Sequence, residues 1–218
     1  TLRERQSFNQ EFRAVSDSAD FQKNIFFEWV IGTSYLELKE SNLKKDDGLY
    51  GDPSDPYGPY ASASSSSSKY KSSNFSVFGN LDYLLSASLK FSIGLRWEDW
   101  EADYSDSLQE SFNPTDKMSG GKISLIKNMT NCTNMYASLA KGYKQGGFNL
   151  GLGLDANSRN KNLAYDPEFL TNYELGLNTK LLDSRVTFNG VLFYSDREDQ
   201  QVLISTQTDP SDPNTFSF

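Results

Sequence analysis

Strict two-residue alternation over short segments is the feature that most limits what this chain can become. Leu89, Phe91, Ile93, Leu95 and Trp97 alternate with Lys90, Ser92, Gly94, Arg96 and Glu98. Successive side chains of a strand point to opposite faces, whereas a helix would scatter both sets around its axis. The stretch 169–201 carries the pattern twice. Tyr173, Leu175, Leu177, Thr179 and Leu181 share one face, and Asn172, Glu174, Gly176, Asn178 and Lys180 share the other. Asp183-Ser184-Arg185 then turns the chain. On the returning segment Phe188, Leu192 and Tyr194 continue the apolar face, while Val191 and Phe193 interrupt the polar one. A wall that is greasy on one side and wet on the other has two homes: a half-exposed soluble sheet, or a membrane barrel.

Composition narrows the choice. The 218 residues have room for one large β domain or two ordinary ones. A hydrophobic content of 37% is low for filling a large dry core, and so is a mean hydropathy of −0.60. Both suit a wall wetted on one side. No run approaches the roughly 18 apolar residues of a transmembrane helix, but a barrel strand needs only about 9–11. A net charge of −8 argues against nucleic acid, whose phosphates demand a basic surface. One cysteine, Cys132, allows no internal disulfide. With no histidine, Ser-His-Asp and Cys-His nucleophiles and histidine metal sites are excluded within this sequence. Thr1-Leu2-Arg3-Glu4-Arg5 does not read as a signal peptide, so the protein is either cytosolic or a stretch of a longer chain.

Taken in order, strands are expected at Gln6–Val15, Asn24–Leu38, Asn74–Leu84, Leu89–Trp97, Ser119–Lys127 and Cys132–Tyr143, followed by the 169–201 hairpin. Tight turns fall at Asp17–Asp20, Ser86-Ala87, Asn128–Asn131 and Asp183–Arg185. Long loops fall at 40–69, 105–117 and 145–166, and the Pro/Asp-rich tail also reads as loop. The stretch 40–69, rich in Ser, Pro, Gly and Asp, is expected to be a long mobile loop because it has little apolar surface to offset its ordering entropy. Alternate short and long connections predict an up-and-down sheet with all tight turns at one rim, as in outer-membrane barrels. A sandwich would mix in crossing connections. Tyr83 and Tyr136 fall near the short-turn rim; Trp97, Tyr143, Tyr173 and Tyr194 fall near the other. Leu89 to Trp97 spans roughly 26 Å, or about 20 Å along the normal at a tilt of about 40°, close to an outer-membrane apolar band. Catalytic chemistry is not evident. Asp46-Asp47-Gly48 lacks the calcium-loop spacing. The pairs Glu98/Asp99 and Asp196/Glu198/Asp199 read as solvated charges, and Gly151-Leu152-Gly153 lacks the context of a phosphate loop.

Several strings resemble a known family. YASLAKGYKQGGFN (136–149), YDPEFLTNYELGLNTKLLDSRVTFNGVLFYSD (165–196) and EDQQV (198–202) are similar to the barrel region of TonB-dependent outer-membrane receptors. In that family a Lys-Gly-Tyr/Phe-Lys-x-Gly-Gly-Phe-Asn strand end precedes an extracellular loop and a Tyr-x-Pro-Glu…Tyr-Glu-Leu-Gly hairpin. Gly94-Leu95-Arg96-Trp97 and Gln10-Glu11-Phe12-Arg13 look like its Gly-x-Arg-Tyr and Gln-Glu-x-Arg strands. The resemblance implies an all-β fold: about eight strands of a larger transmembrane antiparallel up-and-down β-barrel.

Residues 1–218 are then expected to be a portion of one barrel domain, without the plug domain and the C-terminal closing strands. The implied function is TonB-dependent uptake of a scarce ligand, most often a ferric siderophore, across the bacterial outer membrane, with no catalysis and no cofactor. The implied partners are outer-membrane lipid, the TonB system through the plug, and the ferric siderophore or a similar ligand, but not nucleic acid. Arg96, Glu174, Asn178 and Lys180 would face the lumen. Leu89, Phe91, Ile93, Leu95, Trp97, Leu175, Leu177 and Leu181 would face lipid. Tyr143, Gln145 and Phe148, at the base of the third long loop, are the candidate substrate contacts. Two other readings stand beside this one: a complete small eight-stranded outer-membrane barrel with an adhesin or structural role, and a soluble β-sandwich that binds carbohydrate.

Overall fold

Main-chain pairing carries the strands well beyond the residues whose side chains alternate. The computed structural model describes residues 1–50, 60–107, 111–148, 164–202, 206–207 and 216–217. The long strands are β1 (Leu2–Val15), β2 (Phe27–Tyr50), β3 (Tyr60–Ser86) and β4 (Leu89–Asp106). A two-residue β5 (Ser111–Phe112) precedes β6 (Thr115–Thr130) and β7 (Thr133–Lys144). Two further short pieces, β8 (Gly147–Phe148) and β9 (Ala164–Tyr165), lead into β10 (Glu168–Leu181) and β11 (Val186–Glu198). At the end, β12 (Thr206–Gln207) pairs β13 (Phe216–Ser217).

The principal sheet runs β1-β2-β3-β4-β6-β7-β10-β11, with β5 paired to β4, so its long strands follow one another in chain order. This is the expected up-and-down order. Among the described residues no pairing joins β1 to β11, the contact a closed eight-stranded barrel would require. Register fixes the faces. Leu175 stands opposite Ala137 and Leu192, and Tyr173 opposite Leu139 and Tyr194. Glu174 stands opposite Ser138 and Phe193, and Asn178 opposite Asn134 and Asn189. A one-residue slip would exchange the two faces.

Two compact units divide the chain. The first comprises Thr1–Glu11, Ser34–Phe75 and Asp99–Thr115. Within it Trp100, Ala102 and Tyr104 are buried. Arg3 Nη2 meets Glu40 Oε2 at 2.6 Å, and Lys39 and Lys71 flank Glu37 at 2.7 and 3.4 Å. The Arg3 hydrogen bond holds the Glu40 carboxyl below its usual range. The second unit comprises Phe12–Thr33, Ser76–Glu98 and Asp116–Phe218. Within it Asp82 accepts from Ser92 Oγ at 2.5 Å, Lys90 Nζ at 2.9 Å and Asn80 Nδ2 at 3.0 Å.

Amphipathicity inverts along β4. Up to Trp97 the odd positions are apolar and the even ones polar. From Asp99 onward Asp99, Glu101, Asp103 and Ser105 hold the odd positions, while Trp100, Ala102 and Tyr104 are buried on the even ones. In β2 the odd face likewise passes from Phe27, Trp29 and Ile31 to Glu37 and Lys39.

Several expectations need correction. The stretch 40–69 is largely strand, since β2 continues to Tyr50 and β3 starts at Tyr60; residues 51–59 lie outside the described residues. Hydrogen bonds along a ladder and side-chain contacts such as Arg3–Glu40 and Ser67–Ser107 hold these stretches without an apolar face. The 105–117 loop is shortened by β4 reaching Asp106, by β5 and by the start of β6 at Thr115. The β1–β2 connection is longer than a tight turn. It holds a 3₁₀ turn at Phe21–Lys23 and a bridge between Asp20 and Ile25. The residues read as the apolar face stand apart from these corrections: Leu95, Trp97, Leu175 and Leu181 are exposed, and Leu89, Phe91, Ile93 and Leu177 are half-buried.

The β10–β11 turn includes Leu182, with Arg185 N donating to Leu182 O at 3.1 Å. Leu182, Asp183 and Ser184 take φ of 53°, 53° and 67°, left-handed conformations that cost an L-residue about 1–2 kcal/mol each. Replacing Ser184 with Gly relieves this at an entropic cost of about 0.5–1 kcal/mol, whereas Val worsens it. The urea midpoint of the refolded protein is expected to rise for Ser184→Gly and to fall for Ser184→Val.

Candidate functional site

The polar face of β7, β10 and β11 is knit by side chains. Glu174 accepts from Asn172 Nδ2 at 2.8 Å and from Tyr136 Oη at 3.4 Å. Asn178 Nδ2 donates to Asn134 Oδ1 at 2.9 Å, and Ser195 Oγ donates to Asn172 Oδ1 at 2.6 Å. Lys180 shares this face by register and is exposed. The ring of Tyr136 lies over Gly176, where a Cβ would collide with it. Opposite these stand Val191, facing Gly176, and Phe193, facing Glu174, at 49% and 73% exposure. An apolar row therefore crosses an otherwise hydrogen-bonding surface.

Arg96 anchors a second cluster. Its Nη2 meets Glu98 Oε2 at 2.8 Å, and its Nε donates to the same oxygen at 2.9 Å and to Tyr143 Oη at 3.2 Å. Tyr143 Oη in turn donates to Glu98 Oε2 at 2.9 Å. Charge-assisted bonds of this kind are about twice as strong as neutral ones, and the side chain of Glu98 is largely buried among them. The Arg96 and Arg13 guanidinium carbons stand 5.9 and 5.7 Å from the Phe78 ring centroid, within cation–π range. Simple alternation puts Tyr143 with Leu139 on the apolar face and so misses this cluster. The legible signal was Gly120: a Cβ there would stand 3.1 Å from Tyr143 Cε1, so glycine makes room for the ring.

Glycine and glutamine shape the base of the third loop. Gly146 is buried, and a Cβ there would stand 2.5 Å from Tyr165 O and 2.8 Å from Asp116 Oδ2. At Gly147 it would stand 2.6 Å from Tyr165 Oη. The Gly-Gly of the strand-end motif thus admits the returning chain, whose Tyr165 pairs with Gly147. Gln201 Nε2 donates to both Gln145 O and Asp166 O at 3.0 Å, tying the two feet of the loop together. Its own N–H donates to Glu168 Oε2 at 2.9 Å, and Arg197 Nε lies 3.4 Å from Glu168 Oε1. This staple was not foreseen, since a glutamine in EDQQV carries no spacing that reveals two carbonyl partners. The Gln145 side chain is exposed. Phe148 is described by its main chain, paired with Ala164. Residues 149–163 lie outside the described residues. The structure therefore joins Arg96 to Tyr143 in one cluster and places Gln145 at the Gln201 staple. Among the described residues no group of acids and cysteines is arranged to hold a metal ion.

A family model described as "TonB dependent receptor-like, beta-barrel" matches residues 2–218. Solved structures share the fold. The ferric yersiniabactin uptake receptor FyuA of Yersinia pestis is 22% identical with a TM-score of 0.67, over 92% of this chain and 30% of its own. The ferric-catecholate import receptor Fiu of E. coli K12 is 14% identical with a TM-score of 0.63, over 99% and 33%. The siderophore receptor PiuA of Acinetobacter baumannii is 17% identical with a TM-score of 0.60, over 98% and 34%. The chain spans about a third of the length of these receptors.

Two outcomes follow from the loop base. Gln201→Met keeps the bulk of the side chain but loses both donors. Amide exchange at Gly147, Phe148 and Tyr165 is expected to accelerate about tenfold, two exposed hydrogen bonds of about 1 kcal/mol or less each being lost. The second concerns Asp116, whose carboxyl is pushed up by burial and then by the neighbouring charge of Asp166. A raised acid costs stability wherever it is ionised. That penalty is full above the raised value, shrinks as pH falls through it, and vanishes below the ordinary value of about 3.9. Asp116→Asn is therefore expected to stabilise the protein at neutral pH, with the gain disappearing in acid denaturation series.

Proposed function

The chain belongs to the TonB-dependent receptor-like β-barrel family, and on that premise we propose that it forms wall and extracellular-loop segments of a bacterial outer-membrane receptor taking up a ferric siderophore. The observation that carries this reading is the family match across residues 2–218. The family is one of transport receptors rather than enzymes. The siderophore cargo is supported by the chelates named for the similar structures. The plug that couples to TonB and the remaining strands, closing strands included, belong in this reading to a receptor of the relatives' length, with residues 1–218 a portion of its barrel domain.

In this receptor the apolar face of Leu89, Phe91, Ile93, Leu95, Trp97, Leu175, Leu177 and Leu181 meets lipid, and Arg96, Glu174, Asn178 and Lys180 face the interior. The stretch 89–97 of β4 crosses the bilayer, and the inversion after Trp97 marks where the outer surface leaves lipid for water. Val191 and Phe193 then fall on the interior face, where a plug would cover them. Tyr143 with Arg96, and the loop base around Gln145 and Phe148, are the ligand contacts of this reading, since an anionic ferric chelate needs cations and hydroxyls near the loop mouth.

The test is uptake by cells carrying the intact receptor gene or a deletion of it. Energy-dependent import of one radioiron-labelled siderophore is expected to vanish in the deletion strain and return on complementation. Tyr143→Ala is expected to weaken apparent affinity by about tenfold, the scale of one charge-assisted contact. Recovery of the receptor in the soluble fraction without detergent, or unchanged import of every ferric chelate tried, would overturn the reading.

A further inference from the structure

The apolar face is not uniformly filled. A groove of about 1070 Å³ runs across β2, β3, β4, β6 and β7. Its walls are Trp29, Ile31, Leu95, Trp97, Ile123 and Leu139, all at least two-fifths exposed. Its floor is low because Gly79 and Gly121 carry no side chains of their own, with Leu95 folded over Gly121 and Gly79 left open. Gly121 leaves no room for more: a Cβ there would stand 2.7 Å from Gly94 O and 2.9 Å from Leu95 Cδ2. At Gly79 the nearest atom would be Val30 O, at 3.3 Å. Elsewhere on this face, as at Leu175 and Leu192, large side chains project outward. The hollow grips an apolar chain from both sides, where a projecting wall touches it from one, and each added contact contributes dispersion.

The charge at this groove has one sign. No carboxylate lines it, and its cations are Arg96, Lys122 and Lys141. Arg96 is engaged by Glu98, and register places Lys122, opposite Ala140, with the polar set. Lys141, opposite Gly121 and Thr171, belongs to the apolar set, and its ammonium lies 4.9 Å from the Phe169 ring centroid. A lysine among Leu139, Ile123 and Leu95 is costly against hydrocarbon unless its ammonium reaches a headgroup. Trp29 and Trp97 are residues that favour the same interfacial level.

We propose that this groove is a lipid-binding site taking one acyl chain of a phosphate-bearing lipid, whose headgroup phosphate sits on Lys141 Nζ. The volume suffices for a ligand of that class, and Lys141 supplies the complementary charge. This inference rests on the reading that the apolar face meets the bilayer.

The test uses the full-length receptor in phosphatidylcholine nanodiscs containing a few per cent of phosphatidic acid with a diazirine in its acyl chain. Photolabelled peptides are mapped by mass spectrometry. Labelling is expected to concentrate on residues 93–97 and 119–141 over the Leu175 and Leu192 wall. Excess unlabelled phosphatidic acid should compete, and excess phosphatidylcholine should not. Lys141→Gln is expected to lower groove labelling about fivefold, the worth of one basic residue at an anionic headgroup, leaving the Leu192 wall unchanged. Gly79→Leu is expected to lower it by filling the floor, with folding checked by heat-modifiable migration; should that variant not fold, Lys141→Gln decides alone. Equal labelling of groove and wall, insensitive to Lys141→Gln, would overturn the site while leaving the bilayer reading intact. Absence of labelling on both would overturn the bilayer reading and the site with it.

Discussion

Everything in this molecule depends on the main-chain ladder between consecutive antiparallel strands. Each inner strand of the sheet pairs on both sides, so its backbone polar groups find partners in the ladder and its side chains are free to serve two different environments. In hydrocarbon this is a requirement, because a strand exposed to lipid has no water to satisfy an unpaired N–H or C=O. The ladder also explains the weak hydrophobicity of the chain. A wall one strand thick has no interior to fill, and among the described residues the buried apolar side chains are few: Trp100, Ala102, Tyr104 and Met118.

The same ladder carries two opposite amphipathic codes in one strand. Residues 89–97 of β4 present apolar side chains on the odd face, and residues 99–106 present carboxylates there and bury Trp100 and Tyr104 on the other. Both stretches belong to one strand, Leu89–Asp106, so the change of pattern lies in the side chains. In the proposed receptor the switch reports the boundary of the bilayer more sharply than aromatic placement does, since it needs two successive positions on each face to agree.

Alternation was a good guide where one face is apolar and a poor one where neither is. It read β10, β11 and their turn nearly to the residue, because Leu175 and Leu192 on one side and Glu174 and Asn178 on the other leave a single register. The stretch 40–69 read as loop because Ser, Pro, Gly and Asp leave little apolar surface there to offset the entropy of ordering. Main-chain pairing and contacts such as Arg3–Glu40 and Ser67–Ser107 hold these extensions, and neither leaves a period-two hydrophobic trace. The candidate site was half legible for a related reason. Arg96, Glu174 and Asn178 fall on the polar face by parity alone. The reach of Tyr143 across Gly120 to Glu98, and of Gln201 to two loop carbonyls, depends on side-chain length and on the absence of a neighbouring Cβ.

The two residues that broke the alternation at the outset, Val191 and Phe193, follow from the same geometry. They are not a lapse in register, since β10 and β11 pair without a bulge from Phe169–Glu198 to Leu181–Val186. Their partners are Gly176 and Glu174, and the Tyr136 ring that covers Gly176 extends the apolar row one strand further. A water-filled interior would gain nothing from a phenylalanine that is 73% exposed, whereas a folded domain packed inside would bury it and gain about 1.5–3 kcal/mol from that side chain. In the proposed receptor the polar face is therefore both a lining for solvent and ligand and, along this row, a seat for protein. Glycine at 176 leaves the space that the Tyr136 ring occupies, and so keeps the row continuous across β7, β10 and β11.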